Sequence, residues 1–123
     1  MDDRTFYAAV AERTGLSKEE AADLTRATLE MLAGQISSGE VDKLATVLPD
    51  WIVATIPRHD KSAHPMALND FIRQLSQRTG LREDETRRGV GAVLAVLRES
   101  IDPTHLDHAL SLLPKDYRQL AAA

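Results

Sequence analysis

The feature that most constrains the fold of this chain is a four-residue sequence that occurs twice. Arg-Thr-Gly-Leu spans residues 13–16 and returns at residues 78–81, an offset of 65 positions. Each copy follows a short amphipathic stretch and opens a longer apolar one, which predicts a corner between two helices. We expect Gly15 and Gly80 to adopt left-handed backbone conformations there, because a residue without Cβ ends a helix at little steric cost.

The second half of the chain repeats the first half without a gap. Apolar residues of one half meet apolar residues of the other at the same offset, as in the pairs Phe6 with Phe71 and Leu29 with Leu94. Such self-similarity is typical of a duplicated structural unit. It predicts an all-α helical bundle made of two tandem copies of a three- to four-helix unit. We expect an approximate two-fold pseudo-symmetry between the copies, with the helices around Leu29 and Leu94 at the centre.

The predicted boundaries follow from a polar stretch between two prolines. Residues 1–56 form the first helical repeat, residues 57–67 a linker, and residues 68–123 the second repeat. Pro57 and Pro65 bracket this stretch and disfavour a helix through it. We expect the two repeats to pack into one compact domain.

In the first copy, the sequence predicts the residue at which the second helix starts. Ser17 and Glu20 have the spacing of a capping box, in which each side chain accepts a hydrogen bond from the other residue's backbone N–H. Arg82 replaces the serine in the second copy, so we expect Asp84 to cap there instead.

Two glycines distinguish the long helix of the second copy. Gly89 and Gly91 stand where the first copy has Leu24 and Arg26. A glycine inside a helix costs ~1 kcal/mol relative to alanine. We therefore expect a close approach of another helix at these two positions.

Composition and charge exclude several classes of protein. The chain has no cysteine, so disulfides, thiolate zinc sites and cysteine nucleophiles are excluded. No stretch approaches the ~18 consecutive apolar residues of a membrane span, and the acidic start does not resemble a secretory signal. We expect a cytoplasmic protein. The formal net charge is −4, with the acidic excess in the first half.

The repeated elements also resemble a known family. Each copy has a phenylalanine, a Thr-Gly-Leu corner and a Leu-Pro stop. The other elements are Glu-Glu-Ala at residues 19–21, Thr-Arg-Ala-Thr-Leu-Glu at residues 25–30 and the ending at residues 113–118. Together they resemble the bacterial domain-of-unknown-function family 2267 over nearly the whole chain. The resemblance implies an all-helical tandem repeat and brings no activity, because the family has no established one.

A shorter stretch resembles a second family. Residues 9–39 are similar to the helical N-terminal half of the histone-like HU proteins, in which two copies of that helix pair form the body of the dimer. The resemblance implies that the two repeats pack as a built-in pseudo-dimer. It ends at Gly39, before the strands and basic arms with which HU grips DNA. A nucleoid-type DNA-binding protein is therefore the alternative function, although the chain is acidic and lacks a basic footprint.

The four histidines are the candidate metal ligands. His105 and His108 share one helix face, whereas His59 and His64 lie in the linker. A zinc site needs three or four convergent ligands, so the sequence predicts no metal, and no motif predicts a cofactor or a catalytic residue.

By elimination, the sequence favours a non-catalytic helical protein-interaction or self-association module. The candidate partner contacts are Trp51, Ile52 and Tyr117, because Trp51 follows a helix-stopping proline and has no aromatic counterpart at the matching position, Asp116. Aromatic side chains with apolar neighbours are typical of interface centres. The other interpretation is that Trp51 seals the end of the first repeat.

Overall fold

A computed structural model describes residues 1–56 and 63–122 of the chain. Over these residues the protein forms eight α-helices and no strand, which confirms the predicted all-α class. Each half contributes four helices. They are α1 (Asp3–Thr14), α2 (Lys18–Ala33), α3 (Ser38–Ala45), α4 (Asp50–Thr55), α5 (Leu68–Thr79), α6 (Glu83–Ser100), α7 (Pro103–Ser111) and α8 (Lys115–Ala122).

The two long helices, α2 and α6, form the centre of the bundle and pack against each other. Helix α1 packs on α2 of its own half and on α6 of the other half, and α5 packs in the reciprocal way on α6 and α2. Phe6, Leu24, Phe71 and Leu94 from the two halves belong to one continuous apolar core. Reciprocal packing is what a two-fold relation between the halves predicts, and the relation itself stays a prediction.

Both repeated corners have the predicted backbone conformation. Gly15 has a φ of 75° and Gly80 a φ of 78°, and no other described residue has a positive φ. The N–H of each glycine donates to the carbonyl oxygen four residues earlier, at 2.9 Å in both corners. The two glycines therefore end α1 and α5 in the same way.

The start of α2 confirms the predicted capping box. Ser17 Oγ accepts from the N–H of Glu20 at 3.1 Å, and Glu20 Oε1 accepts from the N–H of Ser17 at 3.0 Å. The expectation that Asp84 caps α6 is wrong. Its carboxylate lies 3.3 Å from the guanidinium of Arg82, which is a better partner for it than a backbone N–H. Glu85 accepts from the Arg82 N–H instead.

The two glycines of α6 each lie against another helix, as expected. A Cβ built on Gly89 would overlap Cδ2 of Leu24, so α2 lies directly against this position. A Cβ on Gly91 would lie 3.5 Å from the carbonyl oxygen of Leu120, an ordinary van der Waals distance. Another helix therefore approaches both positions, α2 at Gly89 and α8 at Gly91, but only at Gly89 does it leave no room for a side chain.

The chain between the two halves is only partly described. Helix α4 ends at Thr55, and residues 63–67 approach α5 without helical structure. The rest of the predicted linker, with His59, lies outside the described residues. Of the helices that the structure describes, none has the length and apolar character needed to cross a membrane.

Candidate functional site

An apolar cavity of about 80 Å³ lies on one side of the long helices, between α3 and α7. We call it the α3–α7 cleft. Its walls come from both halves, and most of the lining residues form pairs separated by the repeat offset. These pairs are Leu29 with Leu94, Leu32 with Leu97, Ile36 with Ile101, Val41 with Leu106, Leu44 with Ala109 and Leu48 with Leu113.

Among the described residues that line the α3–α7 cleft, His105 is the one titratable side chain. It is half-buried and comes from the first turns of α7. General acid–base chemistry and metal binding both need several polar groups aimed at one point. The described lining of the cleft therefore provides apolar contacts and one polar side chain.

The two helices that flank the cleft are anchored unequally. Helix α7 buries Leu106 and Leu110, each with 2 % of its surface exposed. The equivalent residues of α3 are Val41 and Ala45, and no residue of α3 is buried. Because the smaller side chains reach less far into the core, α3 covers the long helices less completely than α7 does. The cleft lies next to this less deeply anchored helix.

A polar contact connects α3 with α7 at the surface. Nε2 of His108 lies 3.1 Å from Oε2 of Glu40, and the ammonium group of Lys43 lies 3.7 Å from the same carboxylate. The hydrogen bond with His108 lowers the pKa of Glu40, with a smaller contribution from Lys43. Glu40 thus stays ionised beside the cleft.

Trp51 packs against the N-terminal helix. Its ring makes edge-on contacts with Phe6 and Tyr7, at centroid distances of 5.1 and 5.6 Å. Its indole N–H donates to the carbonyl oxygen of Met1 at 3.0 Å. The half-buried indole therefore covers the end of the first half, as the sealing interpretation requires.

The other two candidate contact residues have almost no exposed surface. Ile52 is 1 % exposed and lines the α3–α7 cleft, whereas Tyr117 is fully buried. The structure therefore does not bring Trp51, Ile52 and Tyr117 together into one exposed patch. A partner contact through these residues stays a prediction, and in this conformation Val53 is the exposed large apolar residue of α4.

Tyr117 belongs to a buried polar ring that the sequence did not suggest. Its hydroxyl donates to the carbonyl oxygen of Met66 at 2.8 Å and accepts from Nε2 of Gln35 at 3.0 Å. Oε1 of Gln35 accepts from the N–H of Met66 at 2.9 Å, which closes the ring. Burial raises the pKa of Tyr117 to about 12. Gln35 follows the apolar face of α2, but its partner Tyr117 lies 82 residues away in sequence, so no pattern in the sequence indicated this contact.

Trp51 and Tyr117 make equivalent contacts in the two halves. They are 66 positions apart, one more than the repeat offset of 65. Tyr117 makes an edge-on contact with Phe71 at 5.4 Å, as Trp51 does with Phe6. Each ring also donates a hydrogen bond to a methionine carbonyl, Met1 in one half and Met66 in the other. Each half therefore closes its core with an aromatic ring at this place.

The arginines near the second corner are engaged with neighbouring side chains. Arg78 pairs with Glu30 of α2, and Arg87 donates to Oδ1 of Asn69 at 2.9 Å. The equivalent corner arginine, Arg13, pairs with Glu99 of α6. Each corner arginine thus joins its short helix to the long helix of the other half, a role that sequence reasoning missed.

The histidines do not assemble a metal site within the part of the chain that the structure describes. No group of three or more His, Cys, Asp or Glu side chains converges there. His64 is exposed, and His105 and His108 make the separate contacts given above.

The fold and the cleft together define an all-α helical bundle whose candidate binding surface is apolar. The chain belongs to the DUF2267 family, which is described as an uncharacterized conserved protein, and the family model matches residues 3–120. The match spans both halves and confirms the family indicated by the repeated motifs. The chain matches none of the curated proteins compared with it.

Proposed function

We propose that this protein is a non-catalytic helical interaction module that binds a protein partner, or a second copy of itself, through the α3–α7 cleft. The observation that carries the proposal is an apolar cavity that the chain's own side chains leave unfilled, beneath a helix with no buried residue. Apolar grooves between helices are places where partner segments dock in known recognition modes.

Exposed apolar residues beside the cleft support the same function. Val47 is 39 % exposed and Leu112 is 37 % exposed, and they are equivalent residues of the two halves. Each precedes a residue that lines the cleft, Leu48 or Leu113. A partner seated between α3 and α7 would remove this apolar surface from water, which is the main driving force for protein association.

Catalysis and DNA binding have less support. In the described lining of the cleft, His105 is the one titratable group. Arginines that a DNA-binding surface would use, such as Arg78 and Arg87, are held by Glu30 and Asn69. We place the protein in the cytoplasm, in keeping with a chain that contains no cysteine.

A photoreactive amino acid placed at single positions in the full chain tests the proposal in cells. At position 44, on the cleft side of α3, we expect covalent adducts of defined mass after irradiation. At position 53, which is exposed on α4 and does not line the cleft, we expect none. Adducts at neither position, or at both equally, would contradict a contact function at the cleft. An adduct between two copies of this chain would identify self-association.

A further inference from the structure

Helix α3 is the least firmly packed helix of the part of the chain that the structure describes. It is the one helix there that packs closely on no other helix, whereas α7, its equivalent, packs on α6 and α8. No residue of α3 is buried, and the two residues with which it lines the α3–α7 cleft, Val41 and Leu44, are only half-buried. Helix α3 therefore buries much less apolar surface than α7 does.

The chain on both sides of α3 is held firmly. Gln35 and Ile36, directly before α3, are buried, and the side chain of Gln35 belongs to the polar ring around Tyr117. After α3, Ile52 of α4 is buried as well. A weakly packed segment thus lies between two fixed points, which keep its ends in place when it leaves the core.

Polar contacts at the protein surface add little to the packing of α3. Glu40 contacts His108 of α7, but the side chain of His108 is 55 % exposed, and that of Lys43, which also approaches Glu40, is 77 % exposed. Exposed charge pairs contribute little to stability, because water and salt screen them. The free energy that holds α3 in place therefore comes mainly from Val41 and Leu44, which are only partly removed from water.

Helix α3 is too short to persist as a helix outside the core. It has 8 residues, whereas isolated helices shorter than ~12 residues are marginal in water. One of these residues is Gly39, which has a low helix propensity. When α3 detaches, its backbone hydrogen bonds therefore open as well. Detachment and local unfolding are one event, and hydrogen exchange detects such events.

We propose that α3 is a lid on the α3–α7 cleft, which opens by local unfolding of residues 37–48 while the rest of the bundle stays folded. The closed cavity measures about 80 Å³, which is smaller than the ~150 Å³ apolar cavity that admits benzene. Larger apolar groups therefore enter only when α3 has moved away. Their apparent affinity is then reduced by the fraction of molecules that are open. This device does not depend on the partner proposed above.

Amide hydrogen exchange of the intact chain, followed by NMR, compares the lid with its equivalent in the second half. Leu44 and Ala109 are equivalent residues, and each lies within its helix. After correction for intrinsic rates, we expect the Leu44 amide to exchange at least ~10-fold faster, because α7 has buried anchors that α3 lacks. Equal protection of the two amides would overturn the inference.

Ile72→Val shows whether α3 opens separately from the bundle. Ile72 is buried in α5 and lies outside the described lining of the cleft. Its truncation destabilises the core, so the amide of the buried Val93 in α6 should exchange ~2- to 10-fold faster. The Leu44 amide should keep its rate, because opening of α3 leaves Ile72 packed. Acceleration of both amides by the same factor would show that α3 unfolds only with the whole bundle, and would reject the lid.

A cysteine beneath the lid measures access to the cavity, since the chain has no cysteine of its own. Ala33 and Ala21 are both buried in α2, but only Ala33 belongs to the described lining of the cleft. Ala33→Cys should react with a thiol reagent at least ~10-fold faster than Ala21→Cys. Equal rates would contradict the lid, and circular dichroism shows whether each variant is folded.

Gly39→Ala connects this labelling to α3. A Cβ at Gly39 meets no neighbouring atom within 4 Å, so the alanine adds helix propensity without a new tertiary contact. In the Ala33→Cys background it should slow labelling ~2- to 5-fold, because it favours the folded form of α3. Labelling that ignores Gly39→Ala would mean that the reagent reaches the cavity by another route, and would reject α3 as the lid.

Discussion

Leu24 of α2 occupies the space where Gly89 of α6 would carry a side chain. The two residues are separated by the repeat offset of 65, so they are equivalent positions of the two halves that touch each other. Leu24 is fully buried. A side chain at both positions would overlap, so a large residue in one half is accommodated by the smallest residue in the other. The repeated units therefore differ where they meet.

The effect of Gly89→Ala should reverse its sign when Leu24 is truncated. In the wild-type protein the new methyl group overlaps Leu24, and overpacking costs ~1–3 kcal/mol. In a Leu24→Ala background the overlap is gone, and alanine gains ~1 kcal/mol of helix propensity over glycine. Denaturant unfolding of the four proteins in this cycle measures both effects.

Gly91→Ala is the control for this cycle. It lies two residues further along α6, where a Cβ meets only ordinary contacts, and should stabilise the protein in both backgrounds. Gly89→Ala effects that are equal in the two backgrounds would show that Leu24 and Gly89 do not compete for space.

Thr28→Val should stabilise the protein by ~1 kcal/mol. A buried hydroxyl without a partner loses its hydrogen bonds to water on folding and gains none in the protein. Thr28 Oγ1 is the one buried side-chain polar atom in the described part of the chain without a hydrogen bond. Its equivalent, Val93, is already valine. The matched control is Thr25→Val, because Thr25 Oγ1 donates to the Ala21 carbonyl at 2.7 Å and its equivalent is Val90. Thermal unfolding should separate the two variants, and equal midpoints would contradict the prediction.

The buried ring around Tyr117 should make the wild-type protein sensitive to high pH. The folded pKa is raised from 10.0 to about 12, so the fold favours the neutral phenol. This contribution is complete below pH 10 and is lost as pH rises from 10 to 12. It amounts to at most about 3 kcal/mol, since each pKa unit is worth ~1.4 kcal/mol.

Tyr117→Phe isolates this effect from other groups that titrate at high pH. At pH 7 the variant should lose ~1–3 kcal/mol, because Gln35 and the Met66 carbonyl lose a buried partner. Between pH 10 and 12 the stability difference from wild type should shrink. Urea unfolding at several pH values measures it, and a difference that stays constant across that window would refute the assignment to Tyr117.

Tryptophan emission should report a packed ring that does not respond to protein concentration. Trp51 is the only tryptophan, and it is held by Phe6, Tyr7 and the Met1 carbonyl. We expect blue-shifted emission with weak quenching by acrylamide, unchanged by dilution or salt. Emission that shifts on dilution would instead place α4 in a self-association surface.

Gly15→Val should destabilise the protein clearly more than Ala8→Val. Gly15 has a φ of 75°, a conformation that a β-branched residue adopts only with strain, whereas Ala8 lies within α1 and loses only helix propensity. Gly80→Val should behave like Gly15→Val, because its φ is 78°. Similar losses for all three variants in chemical denaturation would show that the corners tolerate a side chain.

The helices and their corners could be predicted from the sequence because their determinants are local. Gly15 and the capping box of Ser17 and Glu20 act within a few residues, so their spacing is visible in the chain. The 65-residue offset also predicted that the two halves are equivalent. From this equivalence we expected the helices around Leu29 and Leu94 to lie at the centre.

The cleft and the polar ring could not be predicted in the same way. The periodicity of α3 shows which face is apolar, but whether Val41 fills the space that Leu106 fills in α7 depends on the packing of both halves. Gln35 and Tyr117 meet across 82 residues, and no local signal encodes such a contact. Trp51 looked unnecessary to the repeated core because the matching ring, Tyr117, is shifted by one position.

The reciprocal packing of α1 on α6 and of α5 on α2 has a kinetic consequence. Most helical proteins fold quickly because their contacts are close in sequence, and folding slows as the separation between contacting residues grows. In this chain each half completes its core only with a helix from the other half. During synthesis α1 and α2 emerge first, and the parts of their apolar faces that pack on α5 and α6 stay uncovered until those helices follow. Folding must therefore wait for the second half of the chain.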